Sequence, residues 1–305
     1  MQNIKHLKTN FKILPLSENE RGKAVQFAQK SEIECTALME QLLKSAEDIY
    51  VLKETQEDVL CALFYLRNKS TLFHFIPFLR DKENFLFDEI QLKKIRDVVK
   101  EFLSVQKLFC IYGEYDGGKY INSILEECGK IKIAENEYIL MENDLSSELF
   151  TQEINEREDV FVRKCSSEDA ENLIELERGY RTEEVAITEN VENDKIIRFL
   201  LSKTLNTHTV FAAYKMQEGR LKAVAKAATN ACGNVYCQIG GVYTCKEERN
   251  KGIMFYVMLH LLRYIKAQNK ESNLFVKIHN ESAKKVYAKL GYKEIGKYMI
   301  SYFQK

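Results

Sequence analysis

The sequence is poor in the features that usually mark where a chain breaks or what it attaches to. Only two of its 305 residues are proline, Pro15 and Pro77, so breakers do little to delimit its elements. It carries no net charge, with 45 lysines and arginines against 45 aspartates and glutamates. Nothing therefore draws the whole molecule onto nucleic acid or an anionic membrane, and any anion site has to be local. No apolar run reaches the roughly 18 residues of a membrane span. The opening, MQNIKHLKTNFKILPL, has no apolar core that would suit a signal peptide. Of the eight cysteines none forms a CxxC pair, and the five histidines add no zinc spacing around them. Most sit in apolar runs, such as Cys61 in VLCALFYL and Cys110 in LFCIYG, where reduced thiols behave as small hydrophobes. These absences lead us to expect a cytoplasmic protein with reduced cysteines and with neither a nucleic-acid nor a membrane partner.

What is present is an ordinary globular composition, 45% hydrophobic and 30% charged, long enough for two domains. The polar stretch ENDLSSELFTQEINEREDVF (142 to 161) is the best linker. It places the expected domains at 1–150 and 151–305.

The second half reads coherently. VFVRKC is a strand, and SSEDAENLIELERGY opens on a serine before acidic residues, a helix start. VENDKIIRFLLSKTL is a second amphipathic helix. HTVFAAYK and RLKAVAKAATN are strands joined by the turn MQEG, and NVYCQIGGVYT follows as a third. Then come the apolar helix GIMFYVMLHLLRYIKAQ, the strand NLFVKIH, the helix NESAKKVYAKLG and the strand YKEIGKYMISYF. The order β-α-α-β-β-β-α-β-α-β implies an α/β fold, a mixed sheet with helices on both faces. In the first half, IYVLKE, VLCALFYLR and TLFHFIPFL read as strands. A helix, a strand, a helix and the strand NEYILMEN follow. This repeats the later part of the second half at an offset of about 165 residues, as an internal duplication would.

The chemistry concentrates in GGVYTCKEERNKGIMFYV, residues 240 to 257. A strand that turns into a helix leaves the first N–H groups of that helix unpaired, and with the helix dipole they attract anions. Gly252 lets a phosphate approach the backbone, while Arg249 and Lys251 add charge. A purely structural helix start would rather carry Asp or Glu, because cations there oppose the dipole.

The spacing Arg249-Asn250-Lys251-Gly252-Ile253-Met254 resembles the [QR]-x-x-G-x-[GA] loop of the GNAT superfamily of N-acetyltransferases, which cradles the pyrophosphate of acetyl-coenzyme A. Met254 stands where the family has Gly or Ala, so its side chain either crowds the phosphates or points into the core. Downstream, NESAKKVYAKLGYKEIG matches the family's N-x-x-A-x-x-x-Y-x-x-x-G-[FY]. The resemblance covers residues 160 to 305, and in particular it is to two-part bacterial members with a degenerate N-terminal half. It implies tandem GNAT-like folds, with acetyl-coenzyme A as donor and a primary amine of a small molecule or peptide as acceptor. It further implies that the Val242, Tyr243 and Thr244 backbone pairs with the pantetheine arm, and that the N–H of Val242 or a neighbour polarises the thioester. Tyr287 falls at the family's position for protonating the thiolate, and Asn280 at the start of the last helix would bond the pantetheine or thiol region.

For the general base, Glu183 and Glu184 in YRTEEVAI (180 to 187) lie where the family walls the acceptor site, and Glu184 is our candidate. Cys237 and Cys245 flank the active strand with no base in view, so both read as packing. The first half lacks the loop. Asp81, Glu83 and Asp88 stand where cations would be needed and would repel pyrophosphate. That half is expected to be catalytically silent and to shape the acceptor cleft or a homodimer surface. A reading of another class, a non-catalytic acyl-coenzyme A sensor, stays open at this point.

Overall fold

The computed structural model describes residues 10–154, 157–185 and 193–304. The chain divides into two compact units, Met1–Tyr138 with Lys297–Lys305, and Ile139–Gly296. The division thus falls at 138/139 rather than at 150/151, and the last residues of the chain return to the first unit.

In chain order the elements are β1 (Phe11–Pro15), α1 (Arg21–Gln29), α2 (Glu32–Leu43), β2 (Ile49–Glu54), β3 (Val59–Arg67), β4 (Thr71–Phe75), α3 (Glu89–Ser104), β5 (Cys110–Glu114), α4 (Tyr115–Glu127) and β6 (Lys132–Asn143). After a connection come β7 (Phe161–Lys164), α5 (Ala170–Tyr180), a π-helical turn (Arg181–Val185), α6 (Asp194–Thr207), β8 (Val210–Gln217), β9 (Arg220–Cys232), β10 (Tyr236–Thr244), α7 (Ile253–Lys266), β11 (Glu271–Lys277), α8 (Glu281–Lys289) and β12 (Lys293–Phe303). Both series run β-α-α-β-β-β-α-β-α-β. The first unit therefore repeats the whole order, including β1, α1 and α2, which our reading of the sequence did not identify.

In the first unit β1 to β4 pair antiparallel in succession, β4 pairs parallel with β5, and the end of β12 pairs antiparallel with β5. In the second, β7 to β10 pair antiparallel and β10 pairs parallel with β11. Within each unit the strand pairing is mixed, antiparallel with one parallel step. Inner strands such as β3 and β8 are buried on both faces, and their alternate residues feed opposite cores. Val51 and Leu63 join the side packed by α1 and α2, while Leu52 and Phe64 join the side packed by α3 and α4. In β8, Phe211 and Ala213 face the core of α7 and α8, whereas Ala212 and Tyr214 face that of α5 and α6. The helix α7 buries seven apolar residues, among them Val257, Leu261 and Ile265, at roughly 1.5–3 kcal/mol each.

One expectation is corrected. Cys232 and Cys237 are joined in a disulfide, so Cys237 is not a free packing thiol and these two cysteines are not reduced. They are direct partners across the β9–β10 ladder, a proximity that strand register creates and sequence spacing does not reveal. Cys245 stays a free thiol, and burial raises its pKa, as suits a packing residue. No helix among the described residues is long and apolar enough to cross a membrane.

The first unit also buries a His74–Glu114 pair, with Nδ1 3.2 Å from a carboxylate oxygen, in the space left by two glycines. A Cβ on Gly113 would lie 2.1 Å from the His74 ring, and His74 is fully buried. We expect Gly113→Ala to destabilise the protein by about 2 kcal/mol or more. Gly22→Ala, in α1 with open space around it, is expected to stabilise it by about 0.5–1 kcal/mol. Urea unfolding of both variants checks the pair.

Candidate functional site

The site begins where a ladder stops. Strands β10 and β11 pair from Tyr236↔Glu271 to Ile239↔Leu274 and no further, although both continue, to Thr244 and Lys277. On its other edge β10 stays paired with β9, through a bulge between Gly240↔Ala228 and Tyr243↔Lys226. Gly241, the first bulged residue, is left-handed at φ 59°, a conformation that glycine adopts without strain. The backbone of Val242, Tyr243 and Thr244 therefore runs on with no strand on its β11 side.

Beyond Thr244 the chain makes one 3-10 turn and enters α7 through Gly252, the N-cap, at φ 74°. Asn250 is also left-handed, at φ 62°. No side chain caps α7, so its first N–H groups have no capping partner within the helix. The contrast with α3 is plain: there Asp88 accepts from the Gln91 N–H at 2.7 Å while Gln91 accepts from the Asp88 N–H, a closed capping box. A Cβ on Gly252 would meet only the Arg157 guanidinium, at 3.9 Å, so the approach to this backbone is open. Ile253 is buried, and Met254 packs against the same core as α7. Of the two orientations open to Met254, the structure takes the one into the core.

The cations of the loop are engaged. Arg249 donates to the Thr244 carbonyl (3.0 Å) and to Glu183 (2.8 Å), and it lies over the Tyr243 ring. Lys251 pairs with Glu248 at 3.2 Å. Glu183 also accepts from the Tyr243 hydroxyl at 2.8 Å. Burial raises the Glu183 pKa, but the bonds from Arg249 and Tyr243 outweigh it and hold the carboxyl below its usual range. Glu184, the next residue, pairs with Lys277 at 2.9 Å. The π-helical turn thus clasps both parted strands, Glu183 holding the end of β10 and Glu184 the end of β11. The candidate base Glu184 is one half of that clasp.

Tyr287 is buried among Tyr292 and the α8 core, with its ring 5.7 Å from that of Tyr292. Burial, with Tyr180 and Glu184 nearby, raises its pKa well above that of a free phenol, so it holds its proton at neutral pH. Asn280 caps α8, accepting from the Ala283 N–H at 3.1 Å. Its amide NH2 is not used in that cap.

Two groups that the sequence did not single out also belong here. Arg157 donates to the Lys251 carbonyl at 2.5 Å and forks onto Asp159 with two bonds of 2.8 Å, which fixes the loop from outside. Lys226, only 3% exposed, reaches the Gly241 carbonyl at 3.1 Å and Glu177 at 2.9 Å. Nothing marks Lys226 in RLKAVAKAATN, where alternate residues read simply as a strand face. Two surface depressions, along the β8–β9 hairpin and beside β7, hold none of the residues predicted for the site. Among the described residues, no group of three or more His, Cys, Asp or Glu could hold a metal.

A duplicated β-α-α-β-β-β-α-β-α-β order, with two parted parallel strands leading to a glycine-opened helix start, defines a mixed α/β fold. The fold is that of the GNAT-related N-acetyltransferases in tandem. Residues 219–301 match the family described as FR47-like protein. A Drosophila protein of solved structure superposes with a TM-score of 0.69 at 10% identity, over 96% of this chain and 98% of its own. A tandem GNAT protein from the clavulanic acid biosynthesis pathway gives 0.58 at 11% identity, over 96% and 98%. A GCN5-related N-acetyltransferase from Sphaerobacter thermophilus gives 0.58 at 11%, over 95% and 94%. No curated protein matches the sequence.

The left-handed N-cap makes a stability prediction independent of any ligand. Gly252→Ala is expected to lower stability by about 1–2 kcal/mol, and Gly252→Asn by less, since asparagine visits that region more readily. Thermal unfolding of the two variants gives the order.

Proposed function

We propose that the chain is an N-acetyltransferase that moves an acetyl group from acetyl-coenzyme A to a primary amine of a small molecule or peptide, by direct attack. On this reading residues 139–296 form the catalytic unit, and the first unit is a degenerate copy without a cofactor loop. One observation carries it: the β10 edge left free beyond Ile239 leads directly to an uncapped helix start with a left-handed glycine. A slender polar arm and a diphosphate need those two things, in that order, on one strand.

The residues present fit the cofactor. Val242 to Thr244 offer backbone groups to the pantetheine arm, and the 250–254 backbone with Arg249 and Lys251 would hold the pyrophosphate. Asn280 keeps its amide NH2 for the thiol region. Met254, turned into the core, leaves the phosphate position clear. When bound, acetyl-coenzyme A supplies the activated thioester. Tyr287, kept protonated by burial, would give its proton to the departing sulfur. Arg249 and Lys251 have carboxylate partners, so an incoming diphosphate competes with Glu183 and Glu248 for them. The clasped state of Glu184 favours amine deprotonation through water over direct use of this carboxylate.

Calorimetric titration with acetyl-coenzyme A tests the assignment. We expect saturable binding to the wild type, about tenfold weaker after Arg249→Ala and lost in Gly252→Glu; binding unchanged in both variants rules the site out. For Tyr287→Phe we expect intact binding with turnover down by about 10²-fold or more, read by thiol release over a panel of amines. Binding together with a flat thiol-release panel would instead favour the acyl-coenzyme A sensor.

A further inference from the structure

A lysine amine is seldom taken out of water, and Lys226 has its whole side chain buried in the second unit beside the bulge of β10. Its Nζ has three evident neighbours: the Glu177 carboxylate at 2.9 Å, the Gly241 carbonyl at 3.1 Å and the face of the Tyr180 ring, 4.8 Å to the centroid. Glu177 is itself steadied by Arg181, at 3.7 Å. Tyr180 lies beside the Gly241 backbone as well. Four side chains from α5, β9 and the π-helical turn, Glu177, Tyr180, Lys226 and Arg181, thus gather where Lys226 holds the carbonyl of one β10 peptide group.

That peptide group matters because of what lies on its other side. Among the described residues the chain has no cis peptide bond, so the Gly241 C=O and the Val242 N–H point in opposite directions. A carbonyl held by Lys226 therefore sends the Val242 N–H away from Lys226. A regular strand would not need this arrangement. The left-handed Gly241 rotates the peptide out of the β9 ladder, and the cation gives the displaced carbonyl its partner.

We infer that Lys226, charged and held by Glu177, is a positioning residue for acyl transfer: it fixes the rotated Gly241–Val242 peptide so that the Val242 N–H is aimed at the acyl carbonyl. The inference rests on the acetyltransferase reading above and adds to it the device that holds the donor in place. A donor fixed before reaction stabilises a developing oxyanion without reorganising, whereas a bulge free to rock loses most of that effect. Lys226 touches no reacting atom; it acts through one backbone amide.

The test separates carbonyl recognition from cofactor binding. Acetyl-coenzyme A and its thioether analogue S-ethyl-coenzyme A differ at the carbonyl, and calorimetry gives the affinity for each. The wild type is expected to prefer the thioester by about five- to tenfold, the size of one well-aligned hydrogen bond. In Lys226→Met the preference should fall to about one while the thioether binds within twofold of wild type. Removing one partner of a buried pair can unfold a protein, so the double variant Lys226→Met/Glu177→Leu, which leaves no charge unpaired, is measured beside it and should behave alike. The infrared band of [1-13C]acetyl-coenzyme A should be shifted to lower frequency on the wild type and not on either variant. Retention of the preference and of the shifted band in the double variant would overturn the inference and leave the acetyltransferase reading standing. A wild type that binds neither compound would remove that reading, and the inference with it.

Discussion

A parallel β ladder that ends while both strands continue is the constraint around which the second unit is organised. Beyond Ile239, the β10 backbone groups that face the β11 side have no ladder partner in β11. Such an edge persists only if the strands are kept from closing and their ends are held. Both conditions are met by named groups. The bulge at Gly241 twists β10 out of register, and Lys226 takes up the carbonyl that the twist displaces. The two glutamates of the π-helical turn then tie the separated ends, one to Tyr243 and Arg249, the other to Lys277. An extra residue in a helix, which is what a π turn amounts to, sets successive side chains at an unusual angle and lets neighbours reach in different directions.

The same logic separates the two units, each taken by itself. In the first, β4 and β5 also pair for only three residues, Thr71↔Cys110 to Phe73↔Tyr112. Beyond them His74 and Glu114 occupy the space over Gly113 and Gly117. The helix that follows β4 starts on a capped acid instead of an open glycine. The first unit thus keeps the fold while the corresponding strand gap and helix start are filled from within. A helix N-terminus attracts anions less once its N–H groups are claimed and an acid sits there, and Asp88 claims that of Gln91 and adds its own negative charge. Chain duplication alone would leave two equivalent sites; it is these few side chains that make them different.

Much of this was legible in the sequence, and the illegible parts have physical reasons. The element order of the second half could be read because its apolar periodicity changes sharply between strands and helices, and RNKG stands at one of those changes. The tandem fold followed from the repeated order. The segment from β1 to α2 was not legible: α1 and α2 have weak amphipathic patterns, and α2 is kinked at Cys35, where φ is −133°. The return of Lys297–Lys305 to the first unit could not be read either, since YMISYF alternates as a strand would in any sheet. The disulfide depends on register, and Arg157 came from a stretch whose polar composition suggested only a linker. Of the acidic pair, Glu184 looked like the chemical residue and Glu183 like its neighbour. Yet the two are equivalent in kind, and what distinguishes them is which cation each reaches.

On the acetyltransferase reading, that equivalence would link the two ends of the candidate site within the second unit. Arg249 spends Nε on the Thr244 carbonyl and one Nη2 donor on Glu183, so a diphosphate at the start of α7 would compete with Glu183 for the charge of the same guanidinium. Engagement of an anion at the start of α7 therefore weakens the hold of the π-helical turn on β10 while leaving its hold on Lys277 intact. The turn would then pivot about Glu184. Glu183 would keep the Tyr243 hydroxyl as a donor and Lys246 nearby, but lose the cation whose bond helps to lower its pKa. If the chain is the acetyltransferase proposed above, one ion pair would thus couple the start of α7 to the π-helical turn.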